Sequence, residues 1–129
     1  MKLDWINQIV LVGAGGFIGA VLRFVVSGAA QRLDPAGAFP YGTLACNVLG
    51  CLAIGLLAGA ADARNVLGPG ARLFLLIGVL GGFTTFSSFA YETLELLRER
   101  QHLRAGFNVM GSMFLCLAAV WLGYGLTTR

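Results

Sequence analysis

The sequence predicts an all-α membrane protein with four transmembrane helices. Composition is the first reason. The chain has 129 residues, of which 57% are hydrophobic and only 12% charged. A soluble domain carries about a quarter charged residues and has no use for so much apolar surface. Patterning is the second. Four runs carry no charge, at 5–22, 41–61, 73–91 and 105–128, and each approaches the ~20 apolar residues that cross a bilayer as a helix. The third is what remains. The segments between the runs are short, so a soluble catalytic domain is excluded. The spans are placed at about 5–26, 41–61, 72–97 and 104–127, as a single four-helix transmembrane domain over residues 1–129.

The first span begins at Trp5, an interfacial anchor. Asp4, Asn7 and Gln8 make a poor basic leader, and three more spans follow, so this run is not read as a cleaved signal peptide. Gly15 and Gly19 form a small-xxx-small face for close helix contact. Arg23 lies four residues beyond Gly19 and shares that face. An arginine there either snorkels to the interface or lines a watery vestibule that draws anions. Residues 25–40, with Asp34-Pro35 and Phe39-Pro40, read as a loop connection with room for one short interfacial helix.

The second span carries Thr43, Asn47 and Gly50/Cys51 on one helical face. Asn47 is the most polar residue inside any span. Its amide offers two N–H donors, which serve an anion or an interhelical hydrogen bond. Gly55 and Gly59 are a second close-packing pair. Gly68-Pro69-Gly70 marks a turn before the third span.

The third span is expected to break in mid-membrane. Gly78, Gly81 and Gly82 loosen its backbone, and Thr84, Thr85, Ser87 and Ser88 compete for backbone hydrogen bonds. Hydrocarbon tolerates non-helical backbone only where protein buries it or water reaches it. Carbonyls freed at such a break bind cations, and a half-helix N-terminus faces an anion. The alternative is an ordinary Gly/Ser/Thr packing face. From Glu92 the helix runs on through Glu95, Arg98, Glu99 and Arg100, read as a solvated extension with an i,i+3 pair at Glu95–Arg98. The fourth span bears a polar stripe of Asn108, Ser112 and Cys116 at i, i+4, i+8, which lines a path or packs. Trp121 and Tyr124 sit near its far interface.

Four spans put both termini on one side of the membrane. That side carries Lys2, Arg64, Arg72 and Arg129; the other carries Arg23, Arg32, Arg98, Arg100 and Arg104. Orientation follows Lys/Arg asymmetry, and four against five is almost none. Such a chain is free to insert both ways up and to pair as an antiparallel dimer with its axis in the membrane plane. A fixed topology set by a few flanking residues is equally compatible with the count.

No span has Asp, Glu, Lys or His at its middle, as proton-coupled transport typically needs. Cys46, Cys51 and Cys116 fall within spans as small residues, and the lone His102 lies in a loop, so a zinc or iron–sulfur site is not expected. No nucleophile–base pair or nucleotide motif is present, and enzymatic activity is not expected. What is left is neutral polar groups and aromatic rings, a lining suited to a small hard anion. Phe86 and Phe89 stand i, i+3 on one helix face. Phenyl edges carry partial positive charge and can replace part of an anion's hydration. Without a fixed positive charge, a bound ion can still leave. For either ring the alternative is simple packing.

Three segments together resemble the small fluoride channels called Fluc or CrcB. They are Gly15-Gly16-Phe17-Ile18-Gly19-Ala20-Val21-Leu22-Arg23, Gly42-Thr43-Leu44-Ala45-Cys46-Asn47-Val48-Leu49-Gly50 and Gly81-Gly82-Phe83-Thr84-Thr85-Phe86-Ser87-Ser88-Phe89. The resemblance covers nearly the whole chain. It implies passive, selective fluoride export across the plasma membrane by a multi-pass, dual-topology homodimer with two antiparallel pores. Its implied partners are the fluoride ion, a second copy of the chain and the lipid bilayer, with no nucleic acid. By position, Asn47 is similar to the family's pore asparagine, and Phe86 and Phe89 to the rings that meet fluoride. Ser112 and Asn108 resemble the polar positions of the fourth span. Thr43 and Ser88 join the pore set, Ser88 standing where many relatives have Thr. Arg23 resembles the vestibule arginine. The resemblance also implies a structural Na⁺ at the dimer interface, held by backbone carbonyls of Gly81 and Thr84.

Two other classes compete. A small dual-topology multidrug exporter depends on an acidic residue in its first span, and 5–22 has none. A membrane assembly subunit has no need of a hydroxyl-rich broken span with paired phenylalanines.

Overall fold

A computed structural model describes residues 4–64 and 67–128, without the side chain of Arg64. Lys2, Arg129 and the Arg64 side chain, three of the cations counted above, lie outside the described residues. The elements are α1 (Trp5–Gln31), α2 (Tyr41–Arg64), α3 (Pro69–Arg72), a π-helical segment (Leu73–Leu80), α4 (Gly81–Phe83), α5 (Phe86–Arg98) and α6 (His102–Thr127). They make four helical spans long and apolar enough to cross a membrane, Trp5–Gln31, Tyr41–Ala63, Pro69–Arg98 and His102–Thr127. The protein is a multi-pass membrane protein.

The surface confirms the solvent. Phe17, Phe24, Leu103, Phe114 and Trp121 all point outward, while the buried apolar residues are mostly small, such as Cys46, Ala61, Ala105 and Ala119. Lipid tails are as apolar as leucine, so hydrophobic burial does not pull these helices together; close packing and interhelical hydrogen bonds must.

Glycine provides the packing. On α1, a Cβ at Gly15 would strike the Phe74 carbonyl and one at Gly19 the Val79 carbonyl. Gly82 answers from the other side, where a Cβ would lie 2.5 Å from the Gly16 carbonyl oxygen. The two glycine faces read from the sequence, Gly15/Gly19 and Gly55/Gly59, are both used. A Cβ at Gly55 would meet the Val120 carbonyl and one at Gly59 the Thr127 hydroxyl, while one at Gly123 would lie 2.5 Å from the Leu52 carbonyl. In both pairs residue numbers rise together, so α1 runs parallel to the π segment and α4, and α2 parallel to α6. First with third and second with fourth is the pairing expected of four alternating crossings.

Three features differ from expectation. Residues 25–31 were expected in the connection, yet α1 continues to Gln31. Its first proline is Pro35, so nothing in 25–31 removes a helical hydrogen bond. The chain then turns through Gly37, at φ +66°, a conformation glycine adopts without steric cost. Gln31 fastens the turn to α2, its amide nitrogen donating to the Phe39 carbonyl (3.0 Å) and its oxygen accepting from Gly42 N (3.2 Å).

The third span is broken, as expected, within the stretch that its glycines and hydroxyl residues were read to weaken. Gly81–Phe83 is helical. The extended residues are Thr84 (φ −90°, ψ 156°) and Thr85 (φ −152°, ψ 122°). Gly78 and Gly82 are spent on contact with α1, and the hydroxyl pair that follows breaks the helix. The π-helical Leu73–Leu80 had no counterpart in the sequence reading. Finally, Glu92 does not belong to a solvated extension. It is half-buried and bonded to Thr43 of α2, and the exposed charges begin later, with Glu95, Arg98 and Glu99.

A candidate ion path at the helix break

The break is held by one side chain. Asn47 on α2 donates from Nδ2 to the Thr85 carbonyl (2.9 Å) and accepts from the Thr85 N–H at Oδ1 (2.8 Å). It satisfies both backbone groups of the residue that leaves the helix, groups that hydrocarbon would otherwise leave unpaired at a cost of several kcal/mol. Of the two uses open to Asn47, the interhelical bond is therefore real. It consumes only one of the two Nδ2 hydrogens, and the other remains available on the cleft that Asn47 lines.

Thr85 then caps α5. Its Oγ1 accepts from Ser88 N (3.2 Å) and meets the Ser88 hydroxyl (3.1 Å) and the Ser87 hydroxyl (3.2 Å). The remaining first-turn N–H groups of α5 carry the positive end of its dipole. On the other side of the break, Thr85 N no longer reaches the Gly81 carbonyl, its partner in an unbroken helix. Both the amide and the hydroxyl of Thr84 return to the Leu80 carbonyl (3.0 and 2.9 Å). Gly81 is exposed, with open space beyond its Cα. The break thus presents freed carbonyls on one side and orphan N–H groups on the other.

A cleft of about 480 Å³ adjoins it, lined among others by Asn47, Gly81, Thr84, Phe86, Phe89 and Ser112. The Phe86 and Phe89 rings lie 5.4 Å apart and tilted at 47°, so ring edges as well as faces are presented. Phe86 is 79% exposed, which leaves its ring nearly free of packing within one chain.

Four of the residues singled out in the sequence are not in the cleft lining. Asn108, 2% exposed, donates to the Thr93 hydroxyl (2.9 Å), which itself donates to the Phe89 carbonyl (2.7 Å); Ser112 in turn reaches Asn108 Oδ1 at 3.5 Å. Asn108 thus ties α6 to α5 behind the phenylalanines. Ser88 belongs to the cap. Arg23 is half-buried on α1, eight residues before the helix ends. Thr43 donates to Glu92 Oε1 at 2.6 Å.

Glu92 is the residue the sequence reading missed. Among the described residues its Oε2 is buried without a protein partner. The signal was available. Position 92 follows Phe89 by three and Ser88 by four, so a carboxylate there shares the inward face of α5.

Among the described residues there is no group of three or more His, Cys, Asp or Glu side chains. A cation at the break would have to be held by neutral oxygens, and the Gly81 and Thr84 carbonyls are of that kind.

Comparison with known proteins gives the family of the chain. Residues 10–124 match the family described as "CrcB-like protein, Camphor Resistance (CrcB)". A protein of Opitutus terrae named "Fluoride-specific ion channel FluC" is 50% identical over 116 residues, covering 88% of this chain and 86% of its own. Proteins of the same name from Nitratidesulfovibrio vulgaris strain Miyazaki F and Elusimicrobium minutum are 44% and 43% identical over 119 residues. They cover 92% of this chain, and 95% and 92% of their own. With the match running through all four spans, the chain belongs to the CrcB-like family.

Proposed function

We propose that the chain is a fluoride-selective channel of the plasma membrane, through which F⁻ leaves the cell passively. The observation that carries this is the Asn47 clamp on Thr85. It holds open a mid-membrane break whose donors, hydroxyls and ring edges share one cleft. The relatives' printed name supplies the ion. F⁻ is small and strongly hydrated, and leaves water only where several donors replace its shell. The free Asn47 N–H, the α5 N-terminus, the Ser112 hydroxyl and the edges of Phe86 and Phe89 are such groups. None is a fixed charge, so the ion is bound weakly enough to move on. Arg23 draws anions from the aqueous side, and Thr43, Ser88 and Asn108 hold the lining in place.

The working unit is an antiparallel, dual-topology homodimer with two pores. The freed Gly81 carbonyl and the orphan first-turn N–H groups of α5 would otherwise face lipid, which hydrocarbon does not tolerate. A second copy laid over the cleft covers them. Gly81 and Thr84 carbonyls from both chains then hold one structural Na⁺, which would neutralise the negative ends of the two interrupted helices.

Fluoride efflux from liposomes carrying the purified protein tests the reading, with chloride as control. Valinomycin-dependent fluoride efflux without matching chloride efflux is expected. Silence from a well-folded dimer overturns it and leaves an assembly role.

A further inference from the structure

Of the three free cysteines, two share a place. Cys51 on α2 and Cys116 on α6 both line the cleft, and the two thiols are near enough to interact electrostatically. The glycine contacts explain why. Gly55 packs on Val120, and in a parallel pair one turn back from each brings Cys51 level with Cys116. Cys46 is apart from them, fully buried and with its Sγ directed to the Arg23 carbonyl at 3.7 Å.

We infer that Cys51 and Cys116 form a two-thiolate site for a soft, two-coordinate d¹⁰ cation such as Hg²⁺, Cu⁺ or Ag⁺, set in the wall of the cleft. Thiolates select such ions. Among the described residues no third His, Cys, Asp or Glu joins the pair, which disfavours the four-ligand shell of structural zinc and leaves the two-ligand geometry soft d¹⁰ ions accept. The cleft supplies access for the ion. Binding forms two metal–sulfur bonds and releases the two thiol protons. With Hg²⁺ the product is neutral; with Cu⁺ or Ag⁺ it carries one negative charge. Cys51 lies one turn from Asn47 and Cys116 one turn from Ser112. A bound ion therefore sits beside the anion path, narrowing it in every case and repelling anions when the cation is monovalent.

The site rests on the thiols alone; its effect on flux also rests on the fluoride reading. Titration of the purified full chain with Hg²⁺, followed by mercury–thiolate absorption in the ultraviolet, tests the first. One tightly held Hg²⁺ per chain is expected, unchanged in Cys46→Ser. Cys51→Ser and Cys116→Ser, with the alanine variants as a second pair, should weaken binding by more than the roughly 100-fold that a lost outer-shell partner costs. Wild-type affinity in either single variant, or no two-thiol absorption in the wild type, overturns the site. Fluoride efflux tests the second. Hg²⁺ should block the wild type, excess thiol should restore it, and Cys51→Ser and Cys116→Ser should resist. Full mercury occupancy with undiminished efflux overturns the placement beside the path.

Discussion

At Gly19 two helices touch through bare backbone, and a single added carbon would strike the Val79 carbonyl. At Asn47 the gap between α2 and the third span is bridged by one amide and two hydrogen bonds. The first region is dry, shape-determined and indifferent to charge. The second is polar, extended out of the helix and held at a point. The contrast shows how a chain this small divides labour in lipid. Van der Waals contact along glycine seams fixes the scaffold, since hydrophobic burial does not operate between helices. Hydrogen bonds then do what contact cannot, at Asn47 where the backbone is open and, beyond it, at Thr43–Glu92 and Asn108–Thr93 along α5.

The largest effect is expected from breaking the scaffold. Gly19→Leu places a branched side chain where the Val79 carbonyl and Phe83 backbone already stand. Backbone cannot move aside as a flexible side chain can, so α1 must leave the third span. Loss of a monodisperse peak in size-exclusion chromatography is expected. Even Gly19→Ala should cost at least the ~1–3 kcal/mol of an overpacked core, read as a lowered thermal midpoint in detergent.

Breaking the clamp comes next. Asn47→Ala leaves the Thr85 N–H and carbonyl unpaired at ~1–3 kcal/mol each, and should both lower the midpoint and abolish efflux. Asn47→Asp keeps an acceptor for Thr85 N–H, loses the donor to the Thr85 carbonyl and adds a negative charge in the anion path. Fluoride efflux should fall at least tenfold, about 1.4 kcal/mol in barrier, with less damage to stability than alanine. Unaltered flux in Asn47→Asp would remove this residue from the path.

The scaffold was far more legible in the sequence than the site. Gly15/Gly19 and Gly55/Gly59 announce themselves by spacing alone, because a small-xxx-small face has one common use in a membrane helix. The break was legible as a stretch but not to the residue. Gly81 and Gly82 are weak in a helix, yet Gly82 is held helical by its contact with α1, and only tertiary packing selects Thr84 and Thr85 from the glycines and hydroxyl residues named in the sequence. Glu92 was obscured by its neighbours, since Glu95, Arg98 and Glu99 make a solvated reading natural. What separates them is the Thr43 hydroxyl across the gap, which lies 49 residues away in sequence.

Phe86→Ile separates function from scaffold more cleanly. Phe86 is largely exposed within one chain, so its replacement should leave the fold of that chain intact, read as an unchanged helical circular dichroism spectrum. The ring edge is removed while bulk is roughly kept, and fluoride efflux should fall. Normal efflux would assign Phe86 to packing. Glu92 offers a similar pair. Glu92→Gln retains an oxygen for the Thr43 hydroxyl and should fold normally, whereas Glu92→Ala leaves that buried hydroxyl without its acceptor, at ~1–3 kcal/mol in thermal stability. Equal midpoints for the two variants would mean that the Thr43 contact contributes nothing.

The smallest effect sharpens the comparison most finely. Gly13 and Gly15 lie two residues apart on α1, so they point to different sides of the helix. Nothing stands within 4 Å of a Cβ at Gly13, whereas at Gly15 the Phe74 carbonyl and the Cα of Gly78, 2.9 Å away, already occupy the space. Gly13→Ala should therefore be neutral or stabilising, by at most the ~1 kcal/mol that separates alanine from glycine in a helix. Gly15→Ala should be destabilising despite the same chemical change and the same gain in helix propensity. If the two variants shift the thermal midpoint in the same direction, propensity rather than interhelical contact governs α1, and the glycine seam is not what fixes the scaffold.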